Sequence, residues 1–148
     1  MRLAERTDYG LRVLMLLAAS EDRRPVSAMA EALGVSPNHL AKVVQALQGA
    51  GWVVTTPGRR GGAELAVDAS SLTVGEVVRA LEPDMALVEC MRADGACPLS
   101  GGCRLASALE DARDAFIREL DAVTLANLIA RRRSRLVRLG SERGTRER

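Results

Sequence analysis

Val26-Ser27-Ala28-Met29-Ala30-Glu31-Ala32-Leu33-Gly34-Val35-Ser36-Pro37-Asn38-His39-Leu40-Ala41-Lys42-Val43-Val44 is the stretch whose reading decides the fold. Ser27 suits an N-cap for a short helix through Leu33, with Met29, Ala30 and Leu33 facing inward. Gly34 comes next as a turn residue, and Ser36-Pro37 reads as a second start, an N-cap followed by Pro at the first helical position. That next helix runs to about Ala50, burying Leu40, Val43, Val44 and Leu47, with Gly49 and Gly51 ending it. Upstream, Leu11, Leu14, Met15, Leu17 and Ala18 recur at helical steps and predict a helix from Thr7 to Ser20. Glu21-Asp22-Arg23-Arg24-Pro25 reads as a polar loop. A pair of helices joined by a short Gly-bearing turn, braced by another helix, is the helix-turn-helix pattern.

The residues after the second helix of that pair sharpen the reading. Trp52-Val53-Val54-Thr55-Thr56 is rich in strand formers, Pro57-Gly58-Arg59-Arg60-Gly61-Gly62 is a basic turn, and Ala63-Glu64-Leu65-Ala66-Val67 alternates as a return strand does. A hairpin directly after a recognition helix is a wing. Ser70-Ser71-Leu72-Thr73 leads into a helix with Val74, Val77, Val78 and Leu81 on one side, closing near Pro83. After an aperiodic stretch, Leu105, Leu109, Ala112, Phe116, Leu120 and Val123 make a near-heptad stripe suited to helix-on-helix packing in a dimer. Thr124 is placed to cap a last short helix, Leu125 to Ala130. The expected fold is mainly α. Residues 1–82 form a winged helix-turn-helix DNA-binding domain, 83–103 a cysteine loop, 104–130 the dimerisation helix region and 131–148 a flexible basic tail.

The chain has 148 residues, 47% hydrophobic and 27% charged, an ordinary globular composition. Its formal net charge of +2 divides unevenly, with +2 over residues 1–66, −6 over 67–130 and +6 over 131–148, which suggests different surfaces for different partners. No apolar run approaches the ~18–20 residues that span a bilayer, and the start lacks a signal-peptide pattern, so no membrane association and a cytoplasmic location are expected. No Gly-rich phosphate loop or H-E-x-x-H motif occurs, and the single histidine limits acid/base arrangements, so no catalytic residues and no enzyme are expected.

All 3 cysteines, Cys90, Cys97 and Cys103, fall in the aperiodic stretch, spaced C-x6-C-x5-C. Thiolates suit iron–sulfur clusters, zinc and Cu(I), and an irregular loop can aim several sulfurs at an inorganic core. Structural zinc sites usually pair their ligands as C-x2–4-C, so the wider spacing favours a cluster, with a zinc-binding interaction module as the rival. A further ligand is needed, and it is open among an oxygen donor, a small thiol and solvent. His39 sits early in the recognition helix, where it meets DNA or solvent, or packs structurally, rather than binding metal. Ser36, Asn38, His39 and Lys42 stand where a helix-turn-helix protein meets base edges and phosphates, and Arg59 and Arg60 stand at a tip suited to a minor groove.

These residues carry a resemblance. Arg6-Thr7-Asp8-Tyr9-Gly10-Leu11-Arg12, Val35-Ser36-Pro37-Asn38-His39-Leu40 with Lys42, Gly58-Arg59-Arg60-Gly61-Gly62, Val77-Val78-Arg79-Ala80-Leu81-Glu82-Pro83 and Cys97-Pro98-Leu99-Ser100-Gly101-Gly102-Cys103-Arg104-Leu105 together resemble the NsrR type of the NsrR/IscR winged-helix iron–sulfur regulators, over about residues 1–130. Ala106 replaces the histidine that IscR-type relatives carry three residues after the third cysteine, and Pro57 stands where relatives often carry Arg. The resemblance implies a homodimeric transcriptional repressor. Its cluster, [4Fe–4S] by resemblance to the NsrR type and [2Fe–2S] in the alternative of an iron–sulfur or redox-status regulator, is held by Cys90, Cys97 and Cys103 of one subunit and Asp8 of the partner subunit. Arg12, at i+4, is placed to orient Asp8 by an ion pair. Nitric oxide is the implied signal, and release of operator DNA the implied response.

Overall fold

The computed structural model describes residues 2–58, 61–92, 94–95, 97–98, 103–130 and 136. Helix α1 spans Glu5–Ala18, α2 Val26–Leu33 and α3 Pro37–Gly49. Strands β1, Val53–Thr56, and β2, Gly62–Leu65, pair antiparallel from Val53↔Leu65 to Thr56↔Gly62. Helix α4 is Val74–Leu81, a single 3₁₀ turn covers Glu89–Met91, α5 is Arg104–Asp121 and α6 Leu125–Ala130.

The core forms where the apolar faces of α1, α2, α3 and α4 meet the hairpin. Val13, Leu14, Met29, Leu40, Leu47, Val53 and Val77 are essentially inaccessible, each worth about 1.5–3 kcal/mol of transfer free energy. Between α2 and α3 the chain reverses at Gly34, whose φ of 70° is the left-handed conformation that glycine adopts without a Cβ penalty. Helix α3 then begins as its sequence predicts, with the Ser36 hydroxyl accepting from the His39 N–H at 3.2 Å and Pro37 in the first turn. Gly10 lets α1 approach α4, since a Cβ there would lie 2.5 Å from Leu81 Cδ1.

Besides shifts of one or two residues at the ends of α1 and β2, the structure departs from the sequence reading around Pro25. Helix α2 starts one residue before Ser27, with Pro25 at its N-cap and no side-chain cap, because Pro25 presets a helical φ and has no N–H to satisfy. The polar loop before it contributes a strand residue. Arg24 exchanges both backbone hydrogen bonds with Ala63, at 2.9 and 2.8 Å, as an isolated antiparallel bridge. The wing is thereby fastened to the connection between α1 and α2.

Helix α4 opens on a capping box: the Thr73 hydroxyl accepts from the Glu76 N–H, and Glu76 accepts from the Thr73 N–H at 2.8 Å. Helix α5 lies against α4, held by Arg79, which donates two bonds to Asp121 at 2.9 and 2.7 Å. The chain then returns, and α6 packs on α1 and buries Leu125 and Ile129. The basic tail expected over 131–148 lies outside the described residues except at Leu136, which packs against the core. Among the described residues no helix is long and apolar enough to cross a membrane.

Candidate functional site

The outer face of α3 carries Asn38, His39, Lys42, Gln45 and Gln48, all exposed, while Leu40, Val43, Val44 and Leu47 anchor the other face. The four residues proposed from sequence on this helix, Ser36, Asn38, His39 and Lys42, therefore share one exposed end. Ser36 uses an oxygen lone pair for its cap and keeps its hydroxyl hydrogen for an acceptor in solution. Gln45 is a residue the sequence-based set lacks. It continues the same face three residues beyond Lys42, and the helical period alone points to it. Gln48 accepts from the Thr55 hydroxyl at 3.0 Å, which ties the end of α3 to the wing.

The wing turn is closed by the Gly61 N–H donating to the Gly58 carbonyl at 2.8 Å. Arg59 and Arg60 lie outside the described residues. At the base of the wing, Arg23 donates to Glu64 across the edge of the sheet at 3.0 Å.

Asp8 sits in the first turns of α1 and is partly exposed. Arg12, one turn on, grips it with two bonds of 2.9 and 2.8 Å, the fork that the i+4 spacing predicts. The hydrogen bond to Asp8 raises the pKa of the Arg12 guanidinium above its ordinary value. Arg12 also lies over the Tyr9 ring, 5.7 Å from its centroid. Tyr9 in turn meets His39 edge-on, with ring centroids 5.5 Å apart and planes at 76°. Asp8, Arg12, Tyr9 and His39 thus form a continuous run of contacts from the start of α1 to the recognition helix, a link that spacing alone does not reveal. Further tethers fix the same turn. The Ala4 N–H donates to Glu82 Oε1 at 2.9 Å, and Arg6 Nη2 donates to the Leu81 carbonyl at 2.7 Å. The start of α1 is therefore clamped to the end of α4, where the cysteine segment begins.

The cysteine thiols are free and partly accessible. Cys90 sits in the 3₁₀ turn, which packs against α5, and Cys103 is the N-cap of α5 with no side-chain cap bond. Cys97 and Pro98 lie between them in irregular backbone. Among the described residues of this single chain, no group of three or more His, Cys, Asp or Glu converges on a metal-sized centre. Soft donors on an irregular segment, anchored at one end by a turn and at the other by a helix start, nevertheless fit the chemistry of an iron–sulfur cluster.

A helix-turn-helix with a polar reading helix, a wing after it and a long helix extending from the core together define a winged-helix transcriptional regulator. The family model described as Rrf2, iron-dependent transcriptional regulator, matches residues 3–131. The chain belongs to the Rrf2 family, and its sequence is of the NsrR type. It is 42% identical over 147 residues to the HTH-type transcriptional regulator NsrR of Geobacillus kaustophilus (strain HTA426), covering 97% of this chain and 100% of that one. Its fold is similar to that of CymR, the global cysteine regulator of B. subtilis, with a TM-score of 0.74 at 24% identity over 88% of this chain and 98% of the other. It is likewise similar to T. potens IscR, with a TM-score of 0.70 at 24% identity over 88% of each chain.

Proposed function

We propose that the protein is a homodimeric repressor that binds double-stranded operator DNA, carries an iron–sulfur cluster of the [4Fe–4S] type and releases DNA in response to nitric oxide. The observation that carries the reading is the run of contacts from Asp8 through Arg12 and Tyr9 to His39. It joins the residue implied as the exchangeable ligand to the helix implied to read DNA.

When bound, the cluster supplies iron with which nitric oxide reacts. Cys90, Cys97 and Cys103 would hold it, with Asp8 of the partner subunit as an oxygen donor weaker than a thiolate. The chain's own part is transmission. Arg12 holds both carboxylate oxygens of Asp8, and each oxygen keeps a further lone pair for another partner. A change in Asp8 alters the position of Arg12, hence of Tyr9, hence of the His39 ring at the front of α3.

The test begins with iron and acid-labile sulfide per chain and the absorption spectrum of protein purified without oxygen. About four of each with a broad visible band supports the reading. About two of each redirects it to a [2Fe–2S] redox-status regulator, and zinc without sulfide to a zinc-binding interaction module. Replacing Cys90, Cys97 or Cys103 by Ala is expected to abolish the cluster, and Asp8→Ala to leave a labile one with altered DNA affinity. Full cluster retention in all the cysteine variants would remove the ligand set. Nitric oxide titration of the loaded protein on duplex DNA then has to show release.

A further inference from the structure

We propose that Arg24 is a contact to the DNA backbone, binding a phosphate beside the wing. This rests on the DNA-binding reading above and adds a residue that lies outside both the recognition helix and the wing turn.

The register places it. Arg24 pairs with Ala63, and the last pair of the hairpin before its turn is Thr56↔Gly62. Arg24 therefore lies one residue from the distal end of the wing, and Pro25, the next residue, is the N-cap of α2. It stands between the wing turn and the first turn of α2, the elements that flank the reading helix in this architecture.

The side chain is held there incompletely satisfied. Residues paired directly across an antiparallel ladder project to the same face. Arg23, one position away, projects to the opposite face and is neutralised by Glu64. Arg24 leaves on the face of Ala63, which is fully buried. Its Nε is inaccessible and has no hydrogen-bond partner, and no ion pair to it is found among the described residues. Burial lowers its pKa, and no carboxylate among the described residues counters that effect. A partly desolvated guanidinium without an anion is costly in the free protein. A backbone phosphate supplies the missing anion, with geometry that a guanidinium fork matches. The residue as a whole keeps partial exposure, so an external partner can reach it.

The test uses the full chain and short duplexes selected by the wild-type protein from a random-sequence pool. Arg24→Met keeps the apolar stem and removes the charge and the unpartnered Nε. It is expected to melt no lower than wild type, yet to bind the selected duplex about tenfold more weakly. The slope of log affinity against log salt is expected to fall by about one per subunit, with base preference unchanged. Arg24→Lys is expected to restore the salt slope. Unchanged affinity and slope in Arg24→Met would overturn the proposal. So would a lowered melting temperature with an unchanged slope, which marks a structural role. If wild type enriches no duplex, the DNA-binding reading itself has failed, an outcome separate from any behaviour of Arg24.

Discussion

At the scale of single residues, the sharpest anomaly beside the candidate site is Thr7. It is fully buried in α1 next to Asp8, and its hydroxyl has no hydrogen-bond partner among the described residues. A buried unpaired hydroxyl costs roughly 1–3 kcal/mol relative to a satisfied one. Thr7→Val replaces it by a methyl of similar shape and is expected to stabilise the apo protein by about 1 kcal/mol. A urea denaturation series reads this as a higher midpoint at unchanged slope; a lower midpoint would show that the hydroxyl is satisfied in solution. The neighbouring Asp8–Arg12 pair is legible in the sequence because i+4 spacing on a helix is a local rule. The Tyr9–His39 contact is not, because it depends on how α1 crosses α3, which no local pattern encodes.

At the scale of elements, legibility divides in the same way. Ser36-Pro37 announces a helix start through a bond made within four residues, and the structure makes it; Thr73, read as leading into α4, is joined there by Glu76, which the sequence reading does not single out. Ser27 is equally suitable by residue type, but Pro25 takes the cap position and α2 begins on Val26. The Arg24 bridge is illegible because a single paired residue between polar neighbours leaves no alternating pattern. The capping box also has a pH signature. Hydrogen bonds from the Thr73 N–H and hydroxyl hold the Glu76 carboxyl below its usual range, and Arg79 does the same for Asp121. A carboxylate whose folded pKa is depressed stabilises the fold above its unfolded pKa, roughly 4, and that contribution is lost as pH falls through the lower folded value. The apo protein is therefore expected to lose stability as pH drops below about 4–5. In Thr73→Ala, the melting temperature at neutral pH is expected to fall by a few degrees and the acid decline to become shallower. Melting curves across pH check both, and an identical acid decline in the variant would show that Thr73 does not set the Glu76 titration.

At the scale of the whole molecule, the long helix left open is α5. None of its residues is buried, and Leu105 stands 65% exposed. An open groove of about 420 Å³, lined in part by Met85, Ile117 and Arg118, runs beside it. The near-heptad stripe of α5 is legible in the sequence, and among the described residues α5 packs chiefly on α4 and on the 3₁₀ turn. A second copy packed on α5 would bury the stripe and set a pair of reading helices on one duplex, as half-sites one helical turn apart require. It would also bring Asp8 of the partner subunit towards the cysteine segment, which in a single chain converges on no metal-sized group among the described residues. Leu105→Glu separates the possibilities cleanly, because an exposed residue contributes little to the fold of the isolated chain. Wild type is expected to sediment at twice the 15.8 kDa chain mass. The variant is expected to keep its melting transition at high concentration, to dissociate at least about tenfold more readily and to lose iron and DNA binding together. A variant that stays dimeric would move the interface off the α5 stripe. One that dissociates yet keeps a full complement of iron and sulfide would show that a single subunit completes the site.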